Sequence, residues 1–528
     1  MKANGRLRRQ DQLLLPECLD DYVAADNPVR ALDVFVDSLD LGSLGFEIKA
    51  PSTVGAPLTY ERETLLKLLV YGYLNQIRSC RRLEVETKRN LEVIWLTEKA
   101  QPDHWTINEF RKTNLKAFRN VLRQFHRVCQ RLSLFGKELE AIDGAFFKAL
   151  NNKANNYTQA KLDRLEKKID AAIDAYNTAL DEETAETAET DGRKPPKNLR
   201  AVGTPEELQA KKQRIAELRA AAEASSTGQV SVNDPDSRLL KKGSQSVVGH
   251  NVQSVVDGKK HLLAHVEIVS AGNDRNQLEP MARSGCEALG IDLDKPRGRS
   301  AAGPSIVADG GYYHAAQIER CEAAGLRVHV PAGKTTAIDR PGYRNKDFRY
   351  DESNDQYVCP QGKRLERHSD TRQKEITYRV YYDTASCRDC PCREQCTGGK
   401  YRKLKISQYR ETERRVARRL EREPEIYGRR MGLAEHPFGT LKSVWGYGQF
   451  MVTGKDKCDG ELNLMALCYN WKRALAEVGT EALMEAIEAV LSAAGTALKL
   501  AISVMRVILA IATLDRTENA TSTKLSAA

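Results

Sequence analysis

The sequence predicts an α/β protein: a mixed sheet with flanking helices, preceded by a helical N-terminal region and interrupted by a helical hairpin. Three observations carry this expectation. Apolar runs of strand length recur between 139 and 330 with helical stretches among them, residues 13–130 show helical periodicity alone, and an Ala-, Glu-, Lys- and Leu-rich segment separates the first strand from the others.

From Leu13 to about Gln130 the pattern is helical, punctuated by Pro28 and Pro57. Its clearest run, ERETLLKLLVYGYLNQIRSCRRLEVETKRN, sets Leu65, Leu68, Leu69, Gly72 and Tyr73 on one face and ends in Arg78, Arg81 and Arg82. Those cations read either as phosphate contacts or as a solvated face. LEAIDGAFFKAL reads as a buried strand turning at Gly144, with Asp143 near its end. Residues 158–225 then read as two charged helices joined by the polar run DEETAETAETDGRKPPKN. SVVGHNVQSVVDGKKHLLAHVEIVS is a hairpin turning at Asp257-Gly258, NDRNQLEPMARSGCEALG supplies a helix, and SIVADGGYYHAAQIERCEAAGLRVHVPA reads as strand, helix, strand. This order is compatible with a ribonuclease-H-like core, in which Asp143 and Asp309 meet if their strands are neighbours. The expected division is a helical domain at 1–135, an α/β domain at 136–475 interrupted by the 158–225 hairpin and a Cys-rich insertion at 340–405, and a helical tail at 476–528.

At 59.1 kDa the chain exceeds one ordinary core. Lys plus Arg outnumber Asp plus Glu by 82 to 72, a net charge of +10 compatible with a polyanionic partner. Twelve cysteines, five of them between 359 and 396, do not read as a secreted disulfide scaffold. The N-terminus lacks an export signal, and AIEAVLSAAGTALKLAISVMRVILAIATL is interrupted by Lys499 and Arg506, so it reads as a partner-packing helix rather than a membrane span. A reducing, cytoplasmic setting is expected.

An Asp before Gly is most often a turn residue, and Asp257-Gly258 fits that reading. Asp143 and Asp309 differ, because each follows an apolar strand and precedes an aromatic pair, Phe146-Phe147 or Tyr312-Tyr313. With Glu435 from a distant helix they form an oxygen ligand set suited to Mg²⁺ or Mn²⁺. The cysteines suggest a structural Zn²⁺ held by Cys359, Cys387, Cys390 and Cys396, with Cys392 as an alternative ligand and free thiols or a disulfide as the alternative chemistry. KYRKLKISQYRETERRVARRLER follows, a basic helix that reads as a phosphate-tracking surface or a solvated one.

Several motifs in one order carry a resemblance: AIDGAFFKA, SVVGHNVQSVVD with NDRNQLEPM, VADGGYY, EHPFGTLKSVWGYGQFMVTG with ELNLMALCYNWKR, and upstream LTYERETLLKLLVYGYLNQIRSCRRLE and DHWTINEFRK. Together they resemble bacterial insertion-sequence transposases of the DDE type, which have ribonuclease-H-like catalytic cores. The resemblance implies that Asp143, Asp309 and Glu435 hold the catalytic metal and that Lys442 contacts DNA phosphate. Tyr427 and Arg430 keep the family's Tyr–Arg spacing one residue further upstream of the Glu, and Arg430 is assigned to DNA. It further implies cleavage of the element's terminal inverted repeats and joining of the 3′-OH to target DNA, carried out by a homodimer. The rival expectations are a catalytically inactive DNA-binding derivative and a metal-dependent nuclease that does not join.

Overall fold

Strand β1 (Leu139–Lys148) is the axis of the main sheet, which also contains β4 (Arg238–Lys242), β5 (Gln245–Asp257), β6 (Leu263–Val269), β7 (Ser305–Val307) and β8 (Arg327–His329). The order is β4-β5-β1-β7-β8, with β6 also lying along β5. β5 is antiparallel to β1, while β7 and β8 run parallel to it. The expected α/β class therefore holds, with a mixed sheet consistent with a ribonuclease-H-like core. The computed structural model describes residues 18–47, 60–186, 205–225, 228–242, 245–294, 303–332, 342–373 and 376–525; the side chains of 179–186 and of 492 onward lie outside the description.

Because successive strand residues point to opposite faces, β1 serves two layers. Phe147 meets Phe438 of the helix Arg430–Gly439 at 6.1 Å between ring centroids, which assigns Phe147 and, two pleats back, Asp143 to that helix's side. Glu140 faces the helix Leu278–Ala288, where Cys286 Sγ lies 3.7 Å from its Oε1, and Gly144 shares that opposite face. β1 runs unbroken to Lys148, so Gly144 is not a turn and Asp143 is central rather than near the strand's end. The strand continues because Gly144 stays paired with Gln253 in the β5 ladder.

Two insertions leave this sheet. The helices Gln159–Glu186 and Pro205–Ala224 form a hairpin whose base is closed by β2 (Asn156–Thr158) pairing with β3 (Gln229–Ser231). Leu162, Ile215, Leu218 and Ala222 make its small core, and Arg219 bridges Asp163 and Glu166. The expected polar link spans 181–198: residues 181–186 continue the first helix, and 187–198 fall outside the described residues. Further on, β9 (Arg349–Asp351), β10 (Gln356–Val358), β11 (Arg364–Gln373), β12 (Ile376–Tyr382) and β13 (Leu404–Ser407) form an antiparallel sheet over Phe348, Tyr357, Leu365, Tyr381 and Leu404.

The N-terminal helices are Pro28–Asp37, Arg62–Leu74, Cys80–Arg89, Leu91–Leu96, His104–Asn114 and Phe118–Arg131. Asn27, Asn90 and Asp103 cap three of them by accepting backbone N–H bonds. Every residue from Leu65 to Leu74 is buried, so Arg62–Leu74 is the central rod of a bundle and not the one-sided amphipathic helix its stripe suggested. The helix Lys455–Leu525, broken at Gly479, packs its first part between this bundle and β6. There Trp471 contacts Phe35 and Phe125, and Asn470 both donates to and accepts from the Leu263 backbone. A Cβ on Gly460 would lie 2.2 Å from the Leu115 carbonyl, so close crossing requires glycine there. One hydrophobic core thus runs from the bundle into the sheet. Among the described residues no helix is long and apolar enough to cross a membrane; the side chains of the apolar C-terminal stretch beyond 491 lie outside the description.

Candidate catalytic carboxylate site

The parallel register of β1 and β7 pairs Leu139 with Ser305, Glu140 with Ile306 and Ala141 with Val307. Continued two residues past the last paired positions, that register would bring Asp143 level with Asp309. β7 ends at Val307, and Asp309 caps a short 3₁₀ turn, Gly310–Tyr312, its Oδ1 accepting the Gly311 N–H at 2.8 Å. Both aspartates are half-buried. Burial foremost, then the charges of Asp274, Asp143 and Asp309, push the Tyr312 phenol well above the ordinary range.

Glu435 comes from the helix Arg430–Gly439, which runs along β1. At its start Arg429 Nη2 donates to the Gly258 carbonyl, beside the start of β1, since Gly258 N donates to Leu139 O. Past its other end, Lys442 Nζ donates to Phe146 O at 2.9 Å, and Phe438 abuts Phe147. Glu435 lies on the helix between these anchors. Its side chain is 61% exposed, and Arg430 Nη2 stands 4.0 Å away. Pro437 does not break the helix beside Glu435; the chain passes through it and widens into a π-helical turn at Thr440–Val444. The Lys442 ammonium is held against the β1 backbone and the Phe147 ring. His436 has a packing role, with Nδ1 on the Tyr469 hydroxyl at 2.8 Å and its ring edge-on to His261.

The basic residues divide by burial. Arg78 is a core cation: it pairs with the fully buried Glu461 at 2.9 Å, donates to Gln449 O and lies over the Tyr447 ring. Its charge is neutralised inside the protein, which removes it from the expected DNA surface. Arg81 and Arg82, on the next helix, are exposed. On the helix Arg410–Arg422, Arg415 and Arg419 pair with Glu322, so that part of the basic run ties the helix to Ala315–Ala323.

Cys359, Cys387, Cys390, Cys392 and Cys396 line one cavity of the β9–β13 unit. Cys359 opens a tight turn in which Gly362 N donates to its carbonyl. Burial pushes the Cys396 thiol up, and the neighbouring thiols that add to this are Cys387, Cys359 and Cys390. A second group, Asp234, His250 and Cys458, is fully buried with its ligand atoms within 4.8 Å of one another, and His250 Nε2 is 3.1 Å from Asp234 Oδ2. Sequence reading missed it because the three lie on separate segments with no ligand spacing. It also missed the polar residues behind Gly144, namely Gln253, Asn251 and Asp274, although the last lies in the NDRNQLEPM motif.

The two aspartates and Glu435 offer oxygen atoms only, partly open to solvent, a donor set that suits a hard divalent cation. The cysteine cavity offers sulfur, which suits zinc. A family model for transposase DDE domains matches residues 358–475 and one for a transposase domain (DUF772) matches residues 17–113. A search of curated proteins finds no significant match to this chain.

Proposed function

The two family matches mark the chain as an insertion-sequence DDE transposase, and from that premise we propose that Asp143, Asp309 and Glu435 jointly hold Mg²⁺ or Mn²⁺ and cut the element's ends. The same site then joins the freed 3′-OH to target DNA. The observation that carries this reading is the β1–β7 register, which supports a common position for the two aspartates. Glu435, exposed on a helix alongside, is free to complete the set when DNA arrives. Bound divalent ions would supply the activation of water or 3′-OH and the stabilisation of the departing oxygen.

The protein's own groups position and exclude. Tyr312, three residues past Asp309, is fully buried with its hydroxyl donated to Gln253, so it is not placed to attack phosphorus. Water is the proposed nucleophile, with no covalent protein–DNA intermediate. Arg81 and Arg82 supply exposed charge for phosphates, and Arg430 beside Glu435 neutralises the approach of the backbone. The cysteine cavity would hold a structural Zn²⁺ through Cys359, Cys387, Cys390 and Cys396. Two element ends must be brought together, so a homodimer is the working unit, and its place is the cytoplasm.

The direct test supplies DNA ending in the native element's terminal inverted repeats, with Mg²⁺. End cleavage and joined products are expected from the wild type and neither from Asp309→Asn. Binding without cleavage would identify an inactive derivative, and cleavage without joining a nuclease.

A further inference from the structure

One residue beyond Asp143, on the opposite face of β1, Gly144 is walled in by polar atoms. A Cβ there would lie 2.5 Å from Gln253 Nε2, 2.8 Å from Asp274 Oδ1 and 3.1 Å from the Tyr312 hydroxyl. These groups form a chain of hydrogen bonds. Gln253 Nε2 donates to Asp274 Oδ1 at 2.7 Å and Asn251 Nδ2 donates to the same oxygen at 3.2 Å. The Tyr312 hydroxyl donates to Gln253 Oε1. Gln253, Asn251 and Tyr312 are buried, so a misdirected donor or acceptor among them has no water to turn to.

A side-chain amide can be seated either way round, but a carboxylate only accepts. Asp274, with Asn251 Oδ1 accepting from the same nitrogen at 3.1 Å, therefore turns the Gln253 N–H₂ inward and leaves Oε1 for Tyr312. Tyr312 in turn closes the 3₁₀ turn that Asp309 caps, while Gln253 is the ladder partner of Gly144, adjacent to Asp143. We propose that Asp274, acting through Gln253 and Tyr312, is a positioning residue that fixes the Asp309 turn against β1 and so sets the separation of the two catalytic aspartates. The inference rests on the reading of Asp143 and Asp309 as joint cation ligands. It gives the NDRNQLEPM motif a task on the reverse of the sheet.

The test uses the full-length protein and the variants Asp274→Asn, Tyr312→Phe, their double mutant and Asp309→Asn. Mn²⁺ binding without DNA is followed by the electron paramagnetic resonance of free Mn²⁺, Mg²⁺ dependence by end cleavage, and folding by thermal melting. Both single variants are expected to melt near the wild type and to bind the carboxylate-site Mn²⁺ about 10–100-fold more weakly, the range usual for the outer partners of metal ligands. Half-maximal cleavage should move to correspondingly higher Mg²⁺, and the double mutant should be no worse than the more affected single, because both interrupt one relay. Wild-type Mn²⁺ affinity in folded Asp274→Asn and Tyr312→Phe would overturn the proposal, as would a loss that merely follows unfolding in both. If Asp309→Asn also keeps the full complement of Mn²⁺, the carboxylate-site reading fails instead.

Discussion

Two carboxylates stand three residues apart on β1 and have opposite fates. Glu140 is fully buried against the helix Leu278–Ala288, its Oε2 has no hydrogen-bond partner, and burial, with the Asp257 charge second, pushes its carboxyl up to about 8. Asp143, on the other face, is half-open, and the β1–β7 register points it toward the level of Asp309. The strand LEAID presents both acids in the same apolar run, so acidity in an apolar context does not identify a site. What separates them is the layer each pleat faces: a helix sealed over one, and over the other a helix that brings an exposed glutamate.

The largest effect expected on the open face of β1 is chemical. Asp143→Asn and Asp309→Asn should abolish end cleavage while leaving the melting temperature nearly unchanged, whereas a variant at a sealed acid should do the reverse. The arginines sharpen the same contrast. Arg78→Ala strands the buried Glu461 carboxylate and should cost about 3–5 kcal/mol in urea unfolding. Next comes Gly144→Ala, which forces a methyl group among Gln253, Asp274 and Tyr312 and should cost about 1–3 kcal/mol in the same measurement.

Glu140→Gln should act through pH. Between the usual 4.5 and about 8 the unfolded chain has released the Glu140 proton and the folded chain retains it, so native stability falls as pH rises through that window. Above it, the full cost of a buried charge is present. A neutral amide removes this cost, so the variant's stability advantage should be small near pH 4.5, grow to on the order of 1 kcal/mol or more by pH 8, and then level off. A pH-independent difference between the two melting curves would contradict the buried, protonated assignment. Smallest in stability is the pair Arg81→Ala and Arg82→Ala, expected to leave melting unchanged, weaken DNA binding and reduce its salt slope by about one per lost phosphate contact.

Much of this architecture is legible in the chain. The hairpin at Asp257-Gly258, the strand–helix–strand run around Asp309 and the charged helical insertion all have local signals, and local signals survive into structure. The register of β1 and β7 does not lie in either strand, yet once their adjacency is granted the Asp143–Asp309 pair follows. Burial was harder to foresee. Arg78 reads like Arg81 until the Gln449 carbonyl and Glu461, each several hundred residues on, close around it. Lys442 likewise looks free for phosphate, but the π-helical turn directs it to the Phe146 carbonyl. Asp234, His250 and Cys458 have no ligand spacing because their meeting depends on the fold alone. Asp274 was visible as part of a motif, but its bond to Gln253 depends on a ladder partner, and that only topology supplies.

The most direct test of the central claim is the anomalous scattering of Mn²⁺ in crystals of the wild-type protein. A peak within coordination distance of both the Asp143 and Asp309 carboxylates, absent from Asp309→Asn, is the predicted result. Manganese bound elsewhere, with those two carboxylates turned apart and sharing no ion, would contradict it.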